Sequence, residues 1–212
     1  MVTKAHQLAT GPIVLGSGSP RRAELLRQIG VPFEVVVSSI DEARRDNESP
    51  DQYVERMARE KMVAVRKLVA ENSRVVLCAD TIVTIDQEVF AKPVDRADGL
   101  NMLLLLSGRP HRVVTAVAMA AGDEICQFAV ETIVHFRQLS MDEAEDYWAS
   151  GEPLDKAGGY GIQGLGAVLV ERITGSYSNV VGLPLLETFL ALRRFGVDCL
   201  ALAGQQQRQN LI

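Results

Sequence analysis

Two long alternating stretches, His111 to Ala120 and Ile125 to Phe136, flank Ala121-Gly122-Asp123-Glu124, a pattern that predicts a long β-hairpin. Hairpin strands are antiparallel, so a sheet containing them cannot be purely parallel. Elsewhere strands and helices interleave. Ile13-Val14-Leu15 reads as a short buried strand, Ser19-Pro20 opens a helix that Gly30 closes, and Phe33 to Val37 is a second strand. Ser49-Pro50-Asp51-Gln52 supplies a capping box for a helix to about Glu71. Val75 to Ala79 and Ile82 to Ile85 are apolar β-type runs interrupted by Asp80-Thr81, and a turn near Asp86-Gln87 precedes a short strand at Val89-Phe90.

Asp95 caps a leucine-rich helix that ends at Gly108, and Ser140 with Glu143 forms another capping box for a helix to about Ser150. A glycine-rich loop from Gly151 to Gly166 leads into a strand from Ala167 to Ile173, and a helix from Leu183 to about Phe195 is closed by Gly196. The expected class is α/β, with a mixed twisted sheet and flanking helices in a single domain over residues 1–212. Its core runs over about 13–196, and residues 1–10 and 204–212 are expected to be flexible.

With 212 residues, 47% of them apolar, the chain is long enough to bury one substantial core. A net charge of -5 gives no overall basic field for nucleic acid or anionic membrane, so any phosphate site must come from a few local residues. Cys78, Cys126 and Cys199 are an odd set without CxxC spacing and read as reduced thiols, and His6, His111 and His135 are too scattered for a local metal motif. The opening stretch MVTKAHQLAT lacks the apolar segment of a signal peptide, and no run reaches membrane-span length. The expectation is a soluble cytoplasmic protein.

The candidate chemistry lies in five places. Ser17-Gly18-Ser19-Pro20-Arg21-Arg22 sits where a strand turns into a helix, so free backbone N–H groups, two hydroxyls and two guanidinium groups can converge on a phosphate. The alternative is a capped helix with exposed arginines. Lys61 falls within the apolar stripe Val54, Met57, Ala58, Val65, Leu68, where it must snorkel or meet an anion. Asp80, between two apolar runs, is either paired or metal-bound, or an exposed strand-end turn residue. Glu42 and Lys92 lie beside loops, and with Asp80 they offer oxygen ligands for Mg²⁺ or Mn²⁺ and a cation for phosphates.

The fifth is Gly159-Tyr160-Gly161-Ile162-Gln163-Gly164, which matches G-x-G-x-x-G but precedes a strand, so it is not a dinucleotide fingerprint. It reads as a loop carrying Lys156, Tyr160 and Gln163, either a simple connection or one in which Gln163 reads a base edge.

The segments Ser17 to Arg22, Arg59-Glu60-Lys61, Ala79-Asp80-Thr81, Lys92-Pro93, Leu154 to Gly164 and Val181-Gly182-Leu183-Pro184 resemble, in that order, the Maf nucleotide pyrophosphatases. The resemblance spans roughly Ile13 to Gly196. It implies an elongated fold similar to inosine triphosphate pyrophosphatases, two lobes around a cleft, a homodimer, and hydrolysis between the α- and β-phosphates with a divalent cation, Mg²⁺, Mn²⁺ or Co²⁺. It further implies Asp80 as proton acceptor, Glu42 and Asp80 near the metal, and Ser17, Arg22, Lys61 and Lys92 in the phosphate cleft. Arg21, Thr81 and Gln163 match substrate-selecting positions, and their residue types look like the branch that acts on dTTP and UTP. The competing reading is a non-catalytic nucleotide-binding regulator of septum formation.

Overall fold

The computed structural model of the chain describes residues 11–203. The two ends expected to be flexible, 1–10 and 204–212, lie outside the described residues. The described residues hold a seven-stranded mixed sheet in the order β2-β1-β3-β5-β6-β7, with β4 added against β3. Strands β1 (Ile13–Leu15), β2 (Phe33–Val35) and the start of β3 (Val76–Ile85) pair in parallel. From β3 onward, β5 (Pro110–Ala121), β6 (Glu124–Phe136) and β7 (Val170–Thr174) pair antiparallel. The predicted hairpin is β5 and β6, joined through Gly122 at a φ of 55°, which suits glycine.

The strand β3 is continuous through Asp80 and Thr81, where the sequence suggested an interruption. The hydrogen-bonding pattern explains how two polar residues are accommodated. One edge of β3 pairs with β5 from Val76 to Thr84. On the other edge β1 reaches only to Leu77, and β4 (Glu88–Phe90) begins only at Val83. Among the described residues no strand pairs with Cys78 to Ile82 on that side, and the sheet is open where the polar pair sits.

Side chains alternate across a strand, so Val76, Cys78 and Ile82 face one side together with Val114, Ala116, Ala118 and Ala120 of β5. The helix α2 (Pro50–Arg66) covers that side through Val54, Ala58, Met62 and Val65, and the run of alanines lets it seat close. Gly16 is required for the same closeness, since a Cβ there would lie 2.1 Å from Cys78 Sγ. The opposite face is covered in two parts. Helices α1 (Pro20–Gln28) and α6 (Leu185–Arg194) pack over Leu15, Leu77, Val117 and Met119. Helices α3 (Arg96–Leu106) and α4 (Met141–Ala149) pack with Val83, Ile85, Val113 and Phe136. A cleft opens between these two parts.

Several boundaries differ from expectation. The helix α2 stops at Arg66 rather than near Glu71, because the chain tightens into three-residue turn bonds such as Leu68 N–H to the Val65 carbonyl, and Leu68 leaves the apolar stripe for solvent. The last strand begins at Val170, since Leu165–Leu169 winds into a 3₁₀ turn. A short helix, α5 (Tyr177–Val181), was not expected; Ser176 caps it by accepting from the Asn179 N–H.

Candidate functional site

The cleft has a volume of about 1050 Å³ and is lined by every residue singled out as a candidate in the sequence: Ser17, Arg21, Arg22, Glu42, Lys61, Asp80, Thr81, Lys92 and Gln163. Its floor is the open edge of β3. The period-two alternation splits the polar pair, sending Asp80 toward α2 and Thr81 toward α1.

Lys61 lies in the second half of α2, on the apolar face with Val54, Ala58 and Val65. It does not snorkel. Its Nζ lies 2.7 Å from Asp80 Oδ1 and 3.0 Å from Glu42 Oε1. Burial alone would lower the affinity of this ammonium for its proton, but Asp80 and Glu42 more than reverse that and hold it above the ordinary lysine range. Asp80 is therefore a paired carboxylate within a strand, and the solvent-exposed turn reading does not hold. Cys78, two residues away on the same face, is not a rival nucleophile, because burial pushes its thiol up to about 12.

Glu42 reaches this pair from an exposed loop that is tethered from below. Arg56, almost fully buried on α2, donates to both carboxylate oxygens of Glu48 and to the Ala43 carbonyl, and the Tyr53 hydroxyl donates to the Glu42 carbonyl at 3.0 Å. The paired guanidinium holds the Glu48 carboxyl down at about 2. Arg56 and Tyr53 were not among the residues singled out in the sequence. Arg56 lies across α2 from the stripe of Val54, Ala58 and Val65, and its partners Ala43 and Glu48 come from the preceding loop, so no local pattern marks it.

On the α1 side, Arg22 organises the wall. Its Nε donates to the Gly182 carbonyl (2.8 Å), Nη1 to Ser17 Oγ (3.1 Å) and Nη2 to Thr81 Oγ1 (2.9 Å). Burial lowers its proton affinity, opposed by Asp80. Thr81 continues inward to Thr115 Oγ1, which donates to the buried Asn179 carbonyl. The N-cap of α1, Ser19, makes no side-chain cap bond, in contrast to Ser49, Asp95 and Ser140 at the starts of α2, α3 and α4. First-turn N–H groups beside Arg21 and Arg22 are thus available to an anion.

The glycine-rich loop forms the facing wall. Arg21 Nη1 bonds Asp155 Oδ2 at 3.2 Å across the cleft, and Lys156 holds the same carboxylate at 2.7 Å. Lys92 and Gln163 are exposed on the lining. The arrangement combines two carboxylates on one ammonium, a cationic wall and a polar loop, which suits an enzyme handling a polyphosphate.

Residues 12–195 match the profile of a family described as Maf-like protein. A dTTP/UTP pyrophosphatase of Vibrio cholerae is 54% identical over 183 residues, covering 86% of this chain and 97% of that protein. A dTTP/UTP pyrophosphatase of Saccharophagus degradans is 49% identical over 202 residues, covering 93% and 96%. One of Symbiobacterium thermophilum is 50% identical over 184 residues, covering 87% and 94%. Among solved structures, the Staphylococcus aureus Ham1 protein overlaps 59% of this chain and 72% of its own at 15% identity with a TM-score of 0.43.

Proposed function

The chain belongs to the Maf-like family, and from that premise we propose that it is a nucleotide pyrophosphatase that hydrolyses dTTP and UTP to the monophosphate and pyrophosphate. The observation that carries this reading is the placement of Asp80 in the open edge of β3, with Lys61 and Glu42 upon it, facing a wall of phosphate donors.

The reaction needs a base for water and compensation for charge on the pyrophosphate that leaves. Lys61 fixes Asp80 Oδ1, so the second oxygen is the one positioned to take the proton as the water oxygen bonds to the α-phosphorus. The bridge between the α- and β-phosphates breaks, and the bridging oxygen departs with pyrophosphate. Arg22, Lys61 and Lys92 offset the charge that collects on the leaving group, and Ser17 with the first turn of α1 orients the phosphates. Arg21, Thr81 and Gln163 are assigned to selecting the nucleotide.

Family resemblance implies a divalent cation, and the residues present fit one. Asp80 and Glu42 already share a single positive group, and two carboxylates are what Mg²⁺ or Mn²⁺ commonly takes from a protein while water and phosphate supply the rest. Among the described residues no group of three or more acidic, histidine or cysteine side chains forms a fuller cage. Held by Asp80 and Glu42, such an ion would neutralise phosphate charge and polarise the phosphorus.

No helix among the described residues is long and apolar enough to cross a membrane. The family resemblance supports a homodimer in the cytoplasm, and sedimentation tests the dimer. The decisive assay is a nucleotide panel with Mg²⁺ or Mn²⁺ and product identification. Monophosphate and pyrophosphate from dTTP and UTP are expected; a diphosphate and orthophosphate would refute cleavage at the α,β bond.

A further inference from the structure

The glycine pattern around Gly159 to Gly164 is not explained by phosphate binding, and the proposed reaction uses only Gln163 from it. The loop does, however, wrap an anion belonging to the chain itself. Glu152 Oε1 accepts from the Tyr147 hydroxyl at 2.8 Å and the Gly166 N–H at 2.9 Å, and Oε2 accepts from the Leu165 N–H at 2.7 Å. The Tyr147 hydroxyl in turn accepts from the Gly161 N–H at 3.0 Å. The Glu152 carbonyl also accepts from Lys156 Nζ at 2.6 Å. Backbone donors on both sides of Gln163 are therefore tied to one carboxylate.

The glycines follow from this packing. A Cβ at Gly164 would lie 2.1 Å from Glu152 Oε2, one at Gly166 would lie 2.5 Å from the Tyr147 hydroxyl, and one at Gly161 would lie 2.7 Å from Lys156 Cε. Ile162 turns into the core, and Gln163 beside it stays exposed to the cleft. Burial would raise the Glu152 carboxyl, but the Gly166 N–H, the Tyr147 phenol and the Leu165 N–H hold it below the usual range, so the cradle contains an anion.

We infer that Glu152 is a positioning residue for nucleotide choice, an internal carboxylate that presets the loop from Gly161 to Gly166 and so aims Gln163 at the base. This rests on the reading that Gln163 selects the nucleotide. An amide in place of the carboxylate cannot serve all three donors, and the bonds that bracket Gln163 loosen.

The test measures kcat and KM for dTTP, UTP, CTP and GTP in the full-length protein and in Glu152→Gln, Tyr147→Phe, Gln163→Ala and the Glu152→Gln/Gln163→Ala double variant. Glu152→Gln is expected to lower kcat/KM for dTTP and UTP about 10-fold, a typical loss for an ordered hydrogen-bond set, mainly through KM and with little change for CTP and GTP. Tyr147→Phe should move the same way by less, and it decides the matter alone if Glu152→Gln does not fold. In the Gln163→Ala background the Glu152 change should add nothing further.

An equal fall for all four nucleotides, or a full additional loss in the double variant, would overturn the inference. If Gln163→Ala leaves nucleotide preference intact, the base-reading role itself is wrong. If Gln163→Ala abolishes preference while Glu152→Gln and Tyr147→Phe keep it, only the role of Glu152 falls.

Discussion

Lys61 and Asp80 show how much a single pair can constrain. The ammonium and the Asp80 carboxylate satisfy each other where each alone would be costly in a partly buried cleft, and Glu42 joins them from its exposed loop. Asp80→Asn keeps the shape and a hydrogen-bond acceptor for Lys61 but removes the base. It should lower kcat by roughly 10² to 10⁴, measured as pyrophosphate release at saturating metal, with the fold retained; near-normal turnover would refute the assignment. Every triphosphate presents the same phosphates, so Lys92→Ala should depress dTTP, UTP, CTP and GTP alike. Gln163→Glu, which loses the amide donor, should instead weaken dTTP and UTP selectively, by about 5-fold to 150-fold in kcat/KM. An equal fall across the panel for Gln163→Glu would show that this side chain does not read the base.

At the scale of elements, the helix α2 carries both Lys61 and the anchor of the Glu42 loop. Arg56→Leu would leave Glu48 with only the Arg45 N–H and the Ala43 carbonyl without its guanidinium donor, and the loop from Asp41 to Glu48 would lose its main tether. The expected result is a lower melting temperature and a several-fold rise in the metal concentration needed for half-maximal rate, with a smaller loss of kcat once metal saturates; an unchanged metal requirement would mean that Glu42 is placed some other way. Much of this was legible in the sequence. Capping boxes at Ser49 and Ser140 and the alternation of β5 and β6 gave helix starts and the hairpin, because these depend on near neighbours. The Arg22–Thr81–Thr115–Asn179 chain was not legible, because it joins residues far apart in sequence, and the tether at Arg56 was not, because the path of the Ala43 to Glu48 loop against α2 follows no local pattern. The unbroken course of β3 was missed for a related reason: Asp80-Thr81 looks like a break until the open edge between β1 and β4 is known.

For the molecule as a whole, His111 couples the hairpin to the cleft. It is buried on β5, its Nε2 lies 2.8 Å from the hydroxyl of Tyr160 on the glycine-rich loop, and its ring meets Tyr160 and Phe136 edge to face. Burial holds the imidazole down to about 4, against a smaller opposing pull from the nearby Arg109 backbone. The unfolded chain, with an ordinary histidine near 6.5, binds the proton more readily than the folded one. Stability from this residue is therefore complete above about pH 6.5 and is lost as pH falls toward about 4, amounting to about 2 kcal/mol by pH 5 and about 3 kcal/mol by pH 4. Glu48, held down at about 2, keeps its pair with Arg56 through that window, so the Glu42 loop should not be what loosens first. Denaturant unfolding at pH 7, 6 and 5 should show the wild-type protein losing that stability, while His111→Gln, less stable at pH 7, should lose distinctly less on acidification. Parallel curves for the two proteins would mean that the imidazole is not the group that titrates, and that the link from the hairpin to the loop of Tyr160 is indifferent to acid.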